Sequence, residues 1–267
     1  MPQRPTIALL TDFGTREGYV AAIKGVILRR LPDATLIDIS HEVTAHDVTT
    51  GALLLLDVAP YLPPGAVCVG VIDPGVGTAR LPLAIECVGR ALHLVGPDNG
   101  LLFPLASAGE FRAHAITSAA AVAPAISATF HGRDLFAPAA ALLAAGATVD
   151  QLGPAVPRLV ELQLPRPVFE DRRRCGQILR IDRFGNLISN ILRSDLPLGV
   201  AAEALRFDVG GVIVNGLSLS YGLAAPAALL ATVGGFDRIE IAVNGGSAAE
   251  RLGLVSEMSI PLIVSWD

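Results

Sequence analysis

The chain is poor in residues that would tie it to several common functions. Only three cysteines occur, Cys68, Cys87 and Cys175, far apart and with no CxxC pair. An odd, scattered set gives neither a disulfide framework nor a zinc-ligand spacing, and it fits a reducing cytosol. Lysine is almost missing: Lys24 stands alone among 20 basic residues, and against 25 acidic ones the formal charge is −5. Nucleic acid and anionic membrane both select basic surfaces, so neither is expected as a partner. Long apolar runs are also absent. Leu53–Leu56 stops at Asp57, and Ala119–Ala128 is broken by Pro124 and Ser127, whereas a membrane span needs about 18 uninterrupted apolar residues. The opening Met-Pro-Gln-Arg-Pro leads into Thr6–Thr11 and then Asp12; a run that short reads as a strand rather than a signal peptide, so a cytoplasmic protein is expected. No GxxxxGK[ST] and no GxGxxG follows a strand, which removes the usual phosphate-cradling loops.

What is there is core-forming material: 267 residues, 52% hydrophobic and 17% charged, the opposite of a disordered balance. The first part alternates short apolar strands with helix-period segments. Strands are expected at Thr6–Leu10, Thr35–Ile39 and Val67–Ile72, with helices over Tyr19–Leu31 and Asp47–Val58 between them. Leu83–Val88 and Leu92–Val95 leave no room for a helix and predict a hairpin turned at Gly89-Arg90. Asp134–Ala145 reads as a last Ala-rich helix. Strands this apolar imply a mostly parallel sheet covered on both faces. Composition changes at Gly153-Pro154, and residues 154–170 read as a Pro-rich linker between an α/β domain over 1–153 and a β domain over 171–267. Beyond the linker, strands are expected at Gln177–Ile181, Leu187–Ile191, Leu205–Val209, Val212–Val214, Arg238–Val243 and Ser259–Val264, joined by turns such as Gly210-Gly211 and Gly234-Gly235. The fold class is thus α/β, with a smaller C-terminal antiparallel β-barrel-like domain.

Polar residues gather where apolar strands end, which is where open α/β sheets place ligands. Asp12-Phe13-Gly14-Thr15 follows the first strand, Ser40-His41-Glu42 the second, and Asp73-Pro74-Gly75-Val76-Gly77-Thr78, with Arg80 behind, the third. Asp12 could equally cap a helix beginning near Arg16. Asp73 could simply start a turn, although Pro-Gly-Val-Gly would make one without it. Thr129-Phe130-His131-Gly132-Arg133-Asp134 opens the Ala-rich helix, where unpaired amides favour anions and oppose protonation of an imidazole. In the β domain, Asp182-Arg183-Phe184-Gly185-Asn186 and Asn244-Gly245-Gly246-Ser247 insert polar groups at hairpins, and ordinary turns or a helix cap would explain them too. His41, Glu42, His46 and Asp47 lack the His-Glu-x-x-His arrangement, so loop and capping roles suit them better than a metal.

Together with Asp38-Ile39-Ser40-His41 and Gly96-Pro97-Asp98-Asn99-Gly100, these segments resemble, in order and spacing, the S-adenosylmethionine hydroxide adenosyltransferases, a hydrolase family related to the fluorinase and chlorinase. The resemblance implies hydrolysis of S-adenosyl-L-methionine to adenosine and L-methionine by water or hydroxide attack at the ribose 5′ carbon. It also implies a homotrimer with sites between subunits, and no cofactor or metal, S-adenosyl-L-methionine being the substrate. Asp73, Arg80 and His131 match the family's Asp–Arg–His set around the attacking water, a set that the halogenases lack. Asp73 would orient water and ribose, Arg80 favour the anion, and His131 accept or share the proton. Asp12 matches the ribose site, and Asp182, Phe184 and Asn186 the adenosine site. Asn244, Gly245 and Ser247, with Glu250 close behind, match the segment near methionine and adenine. Where the fluorinase has an adenine-stacking tryptophan this chain has His46, which leaves stacking to Phe184. The rival readings are a non-catalytic S-adenosylmethionine or adenosine binder, a halogenase, and a metal-dependent phosphohydrolase using Asp12, Asp38, His41 and Asp73.

Overall fold

The computed structural model describes residues 4–254 and 260–267. It divides into two compact units, the first ending at Leu164 and the second starting at Pro165. In the first unit, β1 (Thr6–Thr11), α1 (Tyr19–Arg30), β2 (Thr35–Ser40), α2 (Val48–Val58) and β3 (Val67–Val71) alternate as the apolar periods predict. β4 (Pro82–Cys87), β5 (Leu92–Pro97), α3 (Phe103–Ala106), β6 (Phe111–Ala115) and α4 (Ala137–Ala144) complete it. The six strands lie in the order β2-β1-β3-β5-β4-β6. The first four run parallel; β4 is antiparallel to both β5 and β6.

The core follows from strands that are apolar on both sides. Ile7 and Leu9 of β1 pack with Val67 and Val69 toward Ile23 and Ile27 of α1 and the alanines of α4. Ala8 and Leu10, on the alternate face, meet Cys68 and Leu55 of α2 with Leu102 and Leu105 near α3. Successive residues of a strand point to opposite faces, so a central strand sandwiched by helices must be hydrophobic throughout. The hairpin forms as expected, with Ile85 opposite Leu94 and Ala91 at φ 46° closing the turn. The last helix departs from expectation: it opens with a π-helical turn, Gly132–Phe136, before α4, so Asp134 lies inside the helical segment rather than capping it.

The second unit comprises β7 (Val168–Glu170), β8 (Arg173–Ile181), β9 (Leu187–Leu192), β10 (Arg206–Val209), β11 (Val212–Asn215), β12 (Leu217–Ser218), β13 (Leu229–Val233), β14 (Arg238–Val243), α5 (Ala248–Leu252) and β15 (Pro261–Ser265). Ser259, the expected start of the last strand, lies outside the described residues. Its strands form a nearly closed, barrel-like sheet in the order β11-β10-β15-β8-β9-β14-β13-β12, with β7 against β8. The pairing is antiparallel except between β12 and β13. Phe207, Ile241 and Leu262 are fully buried at its centre.

Candidate active site

In the first sheet the chain leaves β1 toward β2 on one side and returns to β3 on the other, so the carboxyl ends of β1 and β3 flank the switch point. Open α/β sheets offer their ligand crevice there. A cavity of about 300 Å³ opens at this place, lined among others by Asp12, Phe13, His46, Asp73, Phe130 and His131. Residues from four separate sequence segments therefore converge on one space.

Asp73 and Arg80 form a buried ion pair, with side chains 5% and 8% exposed. Arg80 Nε donates to Asp73 Oδ1 at 3.0 Å, and Nη2 donates to Asp73 Oδ2. Nη2 also donates to His131 Nδ1 at 2.6 Å. A guanidinium has no acceptor, so Nδ1 must carry the lone pair and the neutral ring holds its proton on Nε2. His131 is held below its ordinary value, first by burial and then by the Arg80 charge; Asp73 and Asp134 oppose that shift. The fork is completed by Nη1, which is buried and has no hydrogen-bond partner among the described residues. The Phe136 ring, its centroid 5.4 Å from the guanidinium carbon, flanks the group. An uncommitted buried donor is costly unless something binds it.

The backbone explains this geometry. Asp73 does start a turn, Val76 N donating to its carbonyl at 3.1 Å, while its carboxylate remains available for Arg80. Gly77 has φ 78°, and a Cβ there would collide with the Ala128 carbonyl, so only glycine lets the loop lie against the segment leading to His131. Asp134 fixes that segment by accepting from Ser127 N at 2.8 Å and from Arg133 Nε at 2.6 Å. The Arg133 bonds chiefly hold its carboxyl below the usual range.

Around this centre, Asp12 does not cap α1, whose N-terminal cap is Gly18. Its Oδ2 instead accepts from His46 N at 2.9 Å, and His46 sits at φ 68°. Phe13, Tyr19 and Phe130 make a mutual edge-to-face trio with centroids 5.3–6.0 Å apart. Asp38 and His41 are spent on one another: His41 Nε2 lies 3.1 Å from Asp38 Oδ1, Nδ1 lies 2.9 Å from the Thr11 hydroxyl, and Lys24 Nζ pairs with Asp38 at 2.6 Å. Burial pushes Asp38 up, but the Lys24 and His41 bonds outweigh it and hold the carboxyl below its usual value. Among the described residues no group of three or more His, Cys, Asp or Glu side chains is disposed to hold a metal ion.

The second unit carries its own pocket of about 920 Å³, lined among others by Asp182, Phe184, Asn186, Tyr221, Glu240 and Ser247. Asp182 organises the rim. Its Oδ1 accepts from Phe184 N at 2.8 Å and Asn186 N at 2.9 Å, and its Oδ2 accepts from Asn186 Nδ2 at 2.9 Å. This turn leaves Phe184 75% exposed. Gly185, at φ 82°, packs against Ser247, where any Cβ would clash. Ser247 caps α5 by accepting from Glu250 N at 3.1 Å, Glu250 itself being exposed, and Asn244 Nδ2 donates to Ala224 O at 2.7 Å. Gly245 and Ser247 line the pocket, so the turn and cap expected from sequence coexist with a place on the cavity wall. Sequence reasoning passed over Tyr221 and Glu240, joined by a 2.7 Å hydrogen bond. Burial raises the Glu240 carboxyl, and burial together with Glu240 raises the Tyr221 phenol. A glutamate inside the otherwise apolar strand Arg238–Val243 was the available signal.

Residues 7–153 match the family model of the SAM hydroxide adenosyltransferase N-terminal domain, and residues 176–260 that of its C-terminal domain. The chain belongs to this family. A Salinispora tropica protein named (R)-S-adenosyl-L-methionine hydrolase is 41% identical over 261 residues, covering 95% of this chain and 96% of that one. A solved structure of an uncharacterized conserved protein from Thermotoga maritima superposes on this chain with a TM-score of 0.91. That chain is 31% identical, and the match covers 97% of this chain and 99% of that one. The fluorinase of an Actinoplanes species is more distant, 29% identical with 80% of this chain and 82% of that one covered.

Proposed function

We propose that the chain hydrolyses S-adenosyl-L-methionine to adenosine and L-methionine, with hydroxide attacking the ribose 5′ carbon. The observation that carries this reading is the buried Asp73–Arg80–His131 network, which brings Asp73 and His131 to the wall of the switch-point cavity with the Arg80 guanidinium bonded to both. The name of the Salinispora tropica relative supports the substrate. A lone pair of hydroxide forms the new C–O bond while the C5′–S bond breaks and its electron pair returns to sulfur. Methionine leaves as a neutral thioether, and one proton is released for each water consumed. Hydroxide and sulfonium cancel each other's charge along this path, so a closed, water-poor cavity favours the transition state over separated ions.

Bulk water has a pKa of about 15.7, and the fixed charge of Arg80 helps by stabilising the anion. While Arg80 occupies Nδ1, His131 cannot take a proton there; it acts as a neutral Nε2–H donor to the oxygen. Asp73 holds the guanidinium in place, and Asp12 takes the ribose hydroxyls. In the second unit's own pocket Phe184 is assigned to adenine, Asp182 and Asn186 to the shape of its rim, and the Asn244–Ser247 turn, with Glu250 beyond it, to the methionine side. A homotrimer in the cytoplasm, acting without cofactor, belongs to the same proposal. In water labelled with heavy oxygen, the label should enter the adenosine 5′ hydroxyl and stay out of methionine. Unlabelled adenosine would refute attack at that carbon. No adenosine at all would leave the non-catalytic binder, and a halogenated nucleoside formed in chloride would favour the halogenase.

Two further results are expected. Phe184→Ala removes a stacking face worth roughly 1–3 kcal/mol, so adenosine should bind about 5- to 150-fold more weakly by calorimetry. The exposed ring leaves the melting temperature unmoved, and unchanged affinity would reduce Phe184 to a surface residue. The second concerns pH. Protonating Nδ1 would set two donors against each other, so turnover should fall as pH drops through the folded-state value of His131. That value lies below its ordinary 6.5, which places the midpoint of the acid limb of kcat below 6.5. A midpoint above it would show that a different group governs the limb.

A further inference from the structure

The Gly96-Pro97-Asp98-Asn99-Gly100 turn has no role in the chemistry above, yet it lies directly beneath the reacting loop. β5 sits between β3 and β4 in the sheet although it follows both in sequence. The connection from β3 to β4, which carries Asp73 and Arg80, must therefore arch over the carboxyl end of β5, where this turn begins. The turn holds both legs of the arch. Asn99 Nδ2 donates to the Ile72 carbonyl, next to Asp73, at 2.8 Å. Asp98 N donates to the Leu81 carbonyl, next to Arg80, at 2.9 Å. Asn99 Oδ1 accepts from Leu101 N at 3.2 Å, which fixes the amide so that its NH₂ faces the leg. On its far side the turn is anchored by Asp98 Oδ1, which accepts from Val160 N at 2.8 Å.

Ile72 is fully buried, and a buried carbonyl needs a partner. An ordinary turn asparagine satisfies its own backbone two residues on. Here the other end of the amide leaves the turn to reach a neighbouring strand. We propose that Asn99 is a positioning residue, setting the separation and orientation of Asp73 and Arg80 by tying the first leg of their loop to the end of β5. The proposal rests on the reading of Asp73 and Arg80 given above.

Asn99→Asp keeps the size of the side chain and the acceptor for Leu101 N but turns an oxygen toward the Ile72 carbonyl. A misplacement of about 1 Å can cost about 10²-fold in rate, so kcat for adenosine formation should fall about 10- to 100-fold. KM should change little. Asn99→Ala, which adds no charge, should show the same split. In an Arg80→Lys background, Asn99→Asp should add almost no further loss, because there is no longer a fork to position. Losses that multiply, or a kcat equal to that of the parent, would overturn the clamp while leaving the site intact. An Arg80→Lys protein with the parent's turnover would instead overturn the reading of the site. If neither Asn99 variant folds, the residue holds the fold rather than the loop, and the proposal fails.

Discussion

Arg80→Lys is expected to fold and to lose turnover by about 10²–10³-fold, the cost of removing an aimed donor from a developing anion. Lysine keeps the charge but not the fork. In the parent, Nε and Nη2 hold the two oxygens of Asp73, Nη2 also reaches His131, and Nη1 is buried with no partner among the described residues. One ammonium cannot serve all of these directions at once. Loss should appear in kcat more than in KM, because the stabilised charge belongs to the transition state. Double variants of Asp73, Arg80 and His131 should be far from additive, since the three act as a unit. Initial rates at saturating substrate within threefold of the parent would remove Arg80 from the chemistry.

Asp73→Ala should produce the largest stability effect. It strands a guanidinium that is 8% exposed, and breaking a buried pair by removing one partner costs about 3–5 kcal/mol. At about 2–4 °C per kcal/mol for a unit of this size, the melting temperature should drop by roughly 6–20 °C. Replacing both partners by apolar residues, Asp73→Leu with Arg80→Met, should recover most of that loss, because buried ion pairs are often no more stabilising than apolar substitutes. Turnover should not recover. Calorimetric melting of the single and double variants separates the two contributions, and an Asp73→Ala protein melting within 2 °C of the parent (about 1 kcal/mol) would show that the pair is not buried in solution.

The strands were legible in the sequence where burial on both sides writes continuous apolar residues, as in Thr6–Thr11 and Val67–Val71, and where a hairpin leaves no room for a helix. Unread were β6, whose Arg112 and His114 interrupt small alanines, and the short or Ala-rich strands β7, β12 and β13. Such segments take their conformation from their neighbours rather than from their own pattern. The π-helical turn at Gly132 was equally invisible; inside it Asp134 accepts from Ser127 N and Arg133 Nε, bonds that the apolar period of the helix does not announce. For the site, motifs named Asp73, Arg80 and His131 together, and the structure joins the three by hydrogen bonds. Which nitrogen of His131 carries the proton depended on the direction of Arg80 Nη2, and spacing carries no such information. Asp182 shows a related limit: its residue type pointed to a ligand, while its oxygens are engaged in shaping the loop that presents Phe184.

The placement of β5 also constrains the order in which the molecule becomes functional. Asp73 and Arg80 are both synthesised before Leu92, but the strand over which their loop arches begins there. A nascent chain that has emerged only as far as β4 holds these two side chains without the turn to which both legs of their loop are tied. Competence thus arrives only once β5 and, beyond the sheet, His131 have been made, so an incompletely made chain carries the reactive residues in an unarmed state.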